Sequence, residues 1–192
     1  MQTDDLAIVI PAYRARFLAP ALASLAAQTD RRFRVYVGDD ASPDDIAGLC
    51  GQWSSKLDLA YTRFDTNAGG RDLVAQWARC INLSSEPWIW LFSDDDVIDA
   101  GCVAAWRRTL GQHPDADLFH FDVTRIDAGG AVIQDEPSFP DRLSARQFLL
   151  ERFQFQLSSY APDYVFSRRA YAEVQGFERF PLAWCSDDAT WI

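Results

Sequence analysis

The stretch WLFSDDDVID places three adjacent carboxylates, Asp94, Asp95 and Asp96, one residue after an apolar run, with Ser93 between them. Neighbouring like charges repel each other, and no basic residue lies within five positions on either side. A solvated turn would screen this repulsion, and a bound cation would offset it. Mg²⁺ and Mn²⁺ prefer oxygen ligands and often take one or two carboxylates, with water and substrate phosphates completing the shell. The three aspartates are therefore candidates for a metal site, and a solvated turn is the alternative.

Three further polar loops follow apolar runs of the same kind, at residues 11–14, 38–42 and 67–71. Asp39 or Asp40 is suited to accept hydrogen bonds from a ribose or a base. Gly69 and Gly70 would let the backbone approach a phosphate, and Arg71 would add a charged donor. The sequence has neither a G-x-G-x-x-G dinucleotide loop nor a Walker P-loop.

Apolar runs alternate with segments of helical periodicity through the first two thirds of the chain. Strands are predicted at residues 6–10, 33–37, 57–64, 88–92 and 118–123, with helices at 17–28, 42–53, 71–81 and around 103–110. Ser42 is predicted to cap the second helix, with Pro43 in its first turn. Strict alternation predicts a mostly parallel sheet covered by helices, and ligands bind beyond the carboxyl ends of such strands. The polar loops should therefore converge on one edge of the sheet.

The rest of the chain is less regular. Helices are predicted at residues 144–155 and 168–174, with a short strand at 164–167 between them. His120 lies within an apolar strand and is interpreted as a core histidine with satisfied hydrogen bonds. Trp184, beside the acidic pair Asp187 and Asp188, is interpreted either as a core residue or as a platform for a sugar ring. For the acidic pair itself the alternative to a functional role is the acidic first turn of a helix.

Composition and charge exclude several classes of protein. The 192 residues are enough for one well-cored domain, and the formal net charge of −10 argues against a nucleic-acid partner. No apolar stretch approaches the roughly 18 residues that span a bilayer, and the acidic start, residues 1–5, is not that of a signal peptide. The four cysteines form no CxxC pair and fit reduced thiols rather than a disulfide framework or a zinc site. These features predict a cytoplasmic protein without a transmembrane segment.

Five motifs occur in an order and spacing that resemble those of family 2 glycosyltransferases, which are inverting enzymes of the GT-A fold. They are IVIPAYRA (8–15), VGDDASPDD (37–45), NAGG (67–70), LFSDDD (91–96) and WCSDDATW (184–191). The resemblance implies a three-layer α/β/α domain whose mostly parallel central sheet has a Rossmann-like nucleotide-binding half. It implies one domain over residues 1–192, with a nucleotide-sugar-binding half at 1–123. The acceptor-side half at 124–192 is expected to be incomplete, because the sequence stops in what resembles the first turn of a further helix.

The resemblance also implies roles for residues of the three polar loops at 11–14, 38–42 and 67–71. Pro11, Ala12 and Tyr13 would line the nucleotide pocket, and Asp39 and Asp40 would contact the base or the ribose. The set that binds the nucleotide sugar would be completed by Asn67, Gly69, Gly70 and Arg71.

The aspartates of the two acidic motifs receive separate roles from the same resemblance. Asp94 and Asp95 would lie on the nucleotide-sugar side, with Asp95 nearer the ribose or sugar, and Asp96 would ligate the metal. Ser93 stands where many members have the first Asp of a D-x-D motif, so which of the three aspartates ligates metal stays open. The general base would be Asp188, with Asp187 as the alternative.

The implied reaction is transfer of a sugar, with inversion, from a nucleoside-diphosphate sugar to an acceptor hydroxyl. The expected cofactor is Mn²⁺ or Mg²⁺, and a UDP-sugar is the favoured donor. The acceptor would be a glycan or a lipid-linked molecule of bacterial surface glycan synthesis, which is compatible with peripheral membrane contact. A non-catalytic domain that binds nucleotide sugar or cation is an alternative. A sugar nucleotidyltransferase is less favoured, because the loop PAYRARF has no glycine or lysine to hold a triphosphate.

Overall fold

A computed structural model describes residues 5–192, and residues 1–4 of the acidic start lie outside the described residues. The strands are β1 (Leu6–Ala12), β2 (Phe33–Asp39), β3 (Leu59–Arg63), β4 (Trp88–Leu91), β5 (Leu118–His120), β6 (Thr124–Ile126), β7 (Val132–Asp135) and β8 (Tyr164–Ser167). The helices are α1 (Ala15–Ala26), α2 (Ile46–Trp53), α3 (Leu73–Ile81), α4 (Cys102–Gln112), α5 (Ala145–Phe153), α6 (Arg168–Glu173) and α7 (Ser186–Thr190). None of the helices in this part of the chain is both long and apolar enough to cross a bilayer.

Six strands form one sheet in the order β3-β2-β1-β4-β8-β5, and β6 and β7 form a separate hairpin. Strands β1 to β4 are mutually parallel, as predicted. Strand β8 runs antiparallel to both of its neighbours, β4 and β5. The residue that precedes β8, Asp163, therefore lies at the same edge as the carboxyl ends of β1 to β4. We call this edge the carboxyl edge.

The two faces of the sheet are covered by different helices, which confirms the three-layer prediction. Along β1, Ile8 and Ile10 pack with α1, α2 and α4, whereas Ala7 and Val9 pack with α3. This alternation follows from the two-residue period of a strand. All four side chains are buried, and burying a large aliphatic side chain stabilises the fold by about 1.5–3 kcal/mol. The core thus fixes the strands whose ends carry the polar loops.

The start of α2 differs from the prediction. The helix begins at Ile46, and its N-cap is Asp45, whose Oδ1 accepts a hydrogen bond from the Gly48 N–H at 2.8 Å. Ser42 is not the cap, because its hydroxyl donates to the Tyr13 carbonyl at 2.5 Å and accepts from the Asp44 N–H at 2.9 Å. The serine therefore joins the loop after β2 to the loop after β1.

Candidate active site

A cavity of about 460 Å³ opens at the carboxyl edge, where the loops after β1, β2, β3 and β4 meet. We call it the donor cavity. Most of the residues predicted to bind the nucleotide sugar line it: Pro11, Ala12, Tyr13, Asp40, Asn67, Gly69, Gly70 and Asp94. Ala161 and Pro162, in the turn before β8, close its far side. Asp39, Arg71 and Asp95 are not among the lining residues, so the structure brings together most of the predicted set but not all of it.

The loop after β1 is held by carboxylates of two other loops. Asp94 Oδ2 accepts hydrogen bonds from the N–H groups of Tyr13 (2.9 Å) and Arg14 (3.3 Å). Asp44 Oδ2 accepts one from the N–H of Ala15, the first residue of α1, at 2.8 Å. Arg14 and Ala15 are the N-cap and first residue of α1, where N–H groups have no partner within the helix, so these carboxylates satisfy them. Asp94 therefore shapes the wall of the donor cavity through the backbone of this loop.

Asp39 is buried beneath the donor cavity loops, with 0% of its surface exposed. Its Oδ1 accepts from the Ser42 N–H at 2.7 Å. Its Oδ2 accepts from the Tyr61 hydroxyl at 2.6 Å and from Arg63 Nη1 at 2.7 Å. Both oxygens are thus used within the protein to hold the loop after β2, and contact with a base or ribose stays a prediction for this residue.

Asp40 holds the loop after β3. It accepts hydrogen bonds from the N–H groups of Ala68 (2.7 Å) and Gly69 (2.8 Å), and it forms an ion pair with Arg79. A Cβ atom on Gly69 would lie 2.8 Å from Asp40 Oδ2, closer than side-chain carbons pack. A side chain at position 69 would therefore displace this carboxylate. Arg71 is exposed, outside the donor cavity, two residues before α3 begins at Leu73.

Four carboxylates form a second group at the carboxyl edge, which we call the acidic cluster: Asp96, Asp163, Asp187 and Asp188. Burial raises the pKa of Asp96 to about 6, and the charges of Asp95, Asp163 and Asp94 add to the rise. Burial and then the charge of Asp188 raise the pKa of Asp187 to about 6. Burial also raises the pKa of Asp163, on which the charge of Asp188 acts in the same direction. The acidic cluster thus holds more negative charge than its surroundings compensate.

A divalent cation fits the surroundings of Asp96. Every charged neighbour that shifts its pKa is a carboxylate, so a cation would relieve the repulsion. Within residues 5–192 no three His, Cys, Asp or Glu side chains are close enough to form a full ligand set. A partial protein set is what Mg²⁺ and Mn²⁺ sites use when substrate phosphates supply the remaining oxygens. Asp95 is exposed at the rim and accepts a hydrogen bond from the Ser93 hydroxyl at 2.5 Å.

The predicted general base, Asp188, lies in α7 and forms an ion pair with Arg152 of α5 at 2.7 Å. Asp187, the alternative, lies beside it in the same helix with 9% of its surface exposed. Trp184, just before this helix, has 77% of its surface exposed and is therefore not a core residue. The platform for a sugar ring stays a prediction for Trp184.

Sequence reasoning missed three residues of this region. Asp163 was not singled out because residues before a parallel strand lie at the opposite edge, and β8 is antiparallel. Arg152 is one of many arginines and carries no motif. His120 was interpreted as satisfied, but in residues 5–192 its two ring nitrogens have no hydrogen-bond partner, and Nε2 lies 3.7 Å from Asp163 Oδ2. Phe139 stacks on the ring of His120, with 3.6 Å between the ring centroids.

Solved structures with the same fold include glycosyltransferases. The chain superposes on S. aureus TarS 1-349 in complex with UDP with a TM-score of 0.75 and 19% identity, covering 99% of this chain and 54% of that one. For the complex of the same protein with UDP-GlcNAc, the TM-score is 0.72 at 20% identity, covering 93% of this chain and 49% of that one. The mannosyltransferase PcManGT from Pyrobaculum calidifontis, in complex with GDP-Man and Mn²⁺, gives 0.66 at 16% identity, covering 98% and 50%.

The chain thus spans about half the length of these proteins. At such identities the likeness shows a shared fold, and no curated protein matches the sequence significantly. The family model described as glycosyl transferase family 2 matches residues 7–172, which is most of the sequence. The matched range contains four of the five motifs, the six-stranded sheet except Leu6, and the lining of the donor cavity. The chain belongs to glycosyl transferase family 2.

Proposed function

We propose that this protein transfers a sugar, with inversion, from a nucleoside-diphosphate sugar to an acceptor hydroxyl. The observation that carries the proposal is the donor cavity at the carboxyl edge, whose lining includes Asp94 and Pro162. These two residues lie close in sequence to Asp96 and Asp163 of the acidic cluster. A nucleotide in the cavity would place its diphosphate toward Asp96 and its sugar toward Asp188. The structural neighbours that bind UDP, UDP-GlcNAc and GDP-Man support a nucleotide sugar as the ligand, with a UDP-sugar as the first candidate.

A divalent cation, Mn²⁺ or Mg²⁺, would be held by Asp96 and would offset the negative charge of the departing diphosphate. The loops after β1 and β3 bind the nucleotide, and Asp40 and Asp94 fix the backbone of those loops. Asp188 accepts the proton of the acceptor hydroxyl, whose oxygen attacks the anomeric carbon from the side opposite the diphosphate. A single displacement of this kind inverts the anomeric centre.

A sugar nucleotidyltransferase fits the structure less well. Such an enzyme needs free N–H groups after β1 to hold a triphosphate. Here the N–H groups of Tyr13, Arg14 and Ala15 already donate to Asp94 and Asp44.

The proposal also includes three properties that follow from the family resemblance alone. They are a glycan or lipid-linked acceptor, a role in surface glycan synthesis and a cytoplasmic location.

Nucleotide binding tests the proposal directly. UDP, GDP, dTDP and CDP are each added with and without Mn²⁺ while the melting temperature is followed. A ligand at 100 times its dissociation constant stabilises a protein by about 2.7 kcal/mol, which for this size is a rise of roughly 5–10 °C. We expect one diphosphate to give such a rise, and only with Mn²⁺.

Two variants locate the effect. Asp96→Asn removes the proposed metal ligand and should abolish the Mn²⁺-dependent part of the rise. Asp99→Asn removes an exposed carboxylate three residues further along the same segment and should leave the rise unchanged. If no diphosphate shifts the melting temperature of the unchanged protein, the proposed function is wrong.

A further inference from the structure

The guanidinium of Arg152 is fixed by three hydrogen bonds. Nε and Nη2 donate to Oδ2 of Asp188, at 3.1 and 2.7 Å. Nη1 donates to the carbonyl of Leu157 at 2.7 Å. Each nitrogen of the group is therefore engaged, and the group can neither rotate nor slide along the carboxylate without breaking a bond. Arg152 is also in the last turn of α5, so the helix fixes its Cα.

The two oxygens of the Asp188 carboxylate have different surroundings. Both hydrogen bonds from Arg152 go to Oδ2. Oδ1 is buried and has no hydrogen-bond partner among residues 5–192. A buried polar atom without a partner is costly to a fold and is rarely kept without a role. A general base needs such an atom, because the proton it receives must meet a free lone pair.

We propose that Arg152 is the positioning residue of the general base, holding Asp188 by Oδ2 so that Oδ1 receives the proton of the acceptor hydroxyl. This inference rests on the proposed function. In the step, the acceptor oxygen forms a bond to the anomeric carbon, and the bond from that carbon to the diphosphate breaks. The electron pair leaves with the diphosphate, and the hydroxyl proton moves to Oδ1.

Arg152 also provides a positive charge beside Asp188, whose other charged neighbours are acidic. Asp187 lies beside it in α7, and Asp163 and Tyr164 lie at the start of β8, so the titratable groups facing it from these elements are acids. Cys185, just before α7, is within electrostatic reach of Arg152 as well. Nearby like charges favour the protonated form of a carboxyl, and a protonated carboxyl cannot act as a base. Arg152 supplies the counter-charge.

The ionisation of Asp188 can be measured without knowing the substrate. The carboxyl carbons of ¹³C-aspartate-labelled protein are followed by NMR from pH 3 to pH 8, and Asp188→Asn assigns the Asp188 signal. We expect Arg152→Met to raise the titration midpoint of Asp188 by at least one pH unit, a tenfold change in its acid dissociation constant. Arg152→Lys should restore most of the midpoint, because lysine returns the charge.

Arg146→Met is the matched control, because Arg146 is an exposed arginine of the same helix. It should leave the midpoint of Asp188 unchanged. A midpoint that moves by less than 0.3 units in Arg152→Met, or that moves equally in Arg146→Met, overturns the inference.

Nucleotide binding separates this inference from the proposed function. Arg152 does not line the donor cavity, so UDP with Mn²⁺ should bind Arg152→Met and the unchanged protein with affinities within about twofold of each other. Absence of nucleotide binding in the unchanged protein counts against the proposed function and leaves the titration result standing. Nucleotide binding with an unmoved midpoint counts against the role of Arg152 alone.

Discussion

Two sets of aspartates lie at the carboxyl edge and differ in what their charges meet. Asp39 and Asp40, at the carboxyl end of β2, accept hydrogen bonds from backbone N–H groups and from Arg63 and Arg79. In the acidic cluster, Asp163 and Asp187 are also buried, whereas Asp96 and Asp188 are partly exposed. Among the described residues, the ion pair of Arg152 with Asp188 is the one cationic contact of this cluster shorter than 3 Å. The negative charges of Asp39 and Asp40 are therefore used to hold the loops, whereas those of the acidic cluster are largely unpaired and can interact with a ligand.

The difference shows that an aspartate-rich motif has no single meaning. A buried carboxylate whose oxygens are all satisfied stabilises the fold, because removing it leaves its partners unpaired. A buried carboxylate that is left uncompensated destabilises the fold and is retained where function requires it. The comparison therefore predicts opposite effects on stability for substitutions in the two sets.

The largest effect is expected for Asp39→Ala. The variant leaves the Ser42 N–H, the Tyr61 hydroxyl and the Arg63 guanidinium without their shared acceptor. Arg63 is half-exposed and can be solvated, so we expect the free energy of unfolding to fall by about 3 kcal/mol rather than by more. Urea denaturation measures this fall.

Asp95→Ala is the control for that substitution. Asp95 is exposed, and the contact it loses is the hydrogen bond from the Ser93 hydroxyl, so its effect should be below about 0.5 kcal/mol. Equal losses in the two variants would show that the hydrogen bonds of Asp39 do not stabilise the fold more than those of an exposed aspartate. A folded Asp39→Asn protein that no longer binds UDP would instead support the predicted contact with the nucleotide.

The strands and the donor cavity could be predicted because both follow from local patterns. Apolar runs mark β1, β2 and β4, and in a parallel sheet the loops after these strands must share an edge. Only knowledge of strand direction could have added Asp163, since β8 places its first residue, rather than its last, at that edge. Ser42 and Asp45 show the same limit on a smaller scale, because both can cap a helix and a contact 29 residues away, to Tyr13, decides between them.

The acidic cluster was only partly predictable, for a related reason. The motif around Asp187 and Asp188 identifies the base candidates, but the burial that sets their ionisation comes from distant segments. Arg152 is 36 residues from Asp188 in the sequence, and no spacing rule joins them. The charge balance of the cluster therefore exists only in the folded chain.

A second, smaller effect is expected from the pH dependence of stability. The pKa of Asp187 is raised from 3.8 to about 6 in the folded protein. Its contribution to stability is therefore fully present below pH 3.8 and is lost as the pH rises through 6. At about 1.4 kcal/mol per unit, this shift corresponds to a loss of about 3 kcal/mol. The amide of an asparagine at this position would itself be a buried polar group, so we expect replacement of the carboxylate to recover about 2 kcal/mol of that loss.

Asp187→Asn removes the group that titrates. In urea denaturation with EDTA present, the variant should be more stable than the unchanged protein by about 2 kcal/mol at pH 7.5. The two should become equally stable near pH 4, where Asp187 is protonated in the folded protein. Stability curves that run parallel between pH 4 and pH 7.5 would show that burial of Asp187 is not a strain on the fold. If Asp188 is the base, nucleotide binding and transfer should both persist in this variant.

The smallest effect is expected for Gly69→Ala, which would alter the donor cavity by displacing Asp40. In Gly69→Ala the new methyl group would meet Asp40 Oδ2 at 2.8 Å and push the carboxylate away from the N–H groups of Ala68 and Gly69. We expect a loss of about 1 kcal/mol in stability and a severalfold weaker affinity for UDP with Mn²⁺ in calorimetry.

Gly51→Ala is the matched control, because Gly51 lies in α2 with open space where the methyl group would go. That substitution should stabilise the protein by about 0.5–1 kcal/mol through helix propensity and leave the affinity unchanged. Equal affinities in the two variants would mean that the hold of Asp40 on the loop after β3 does not shape the nucleotide site.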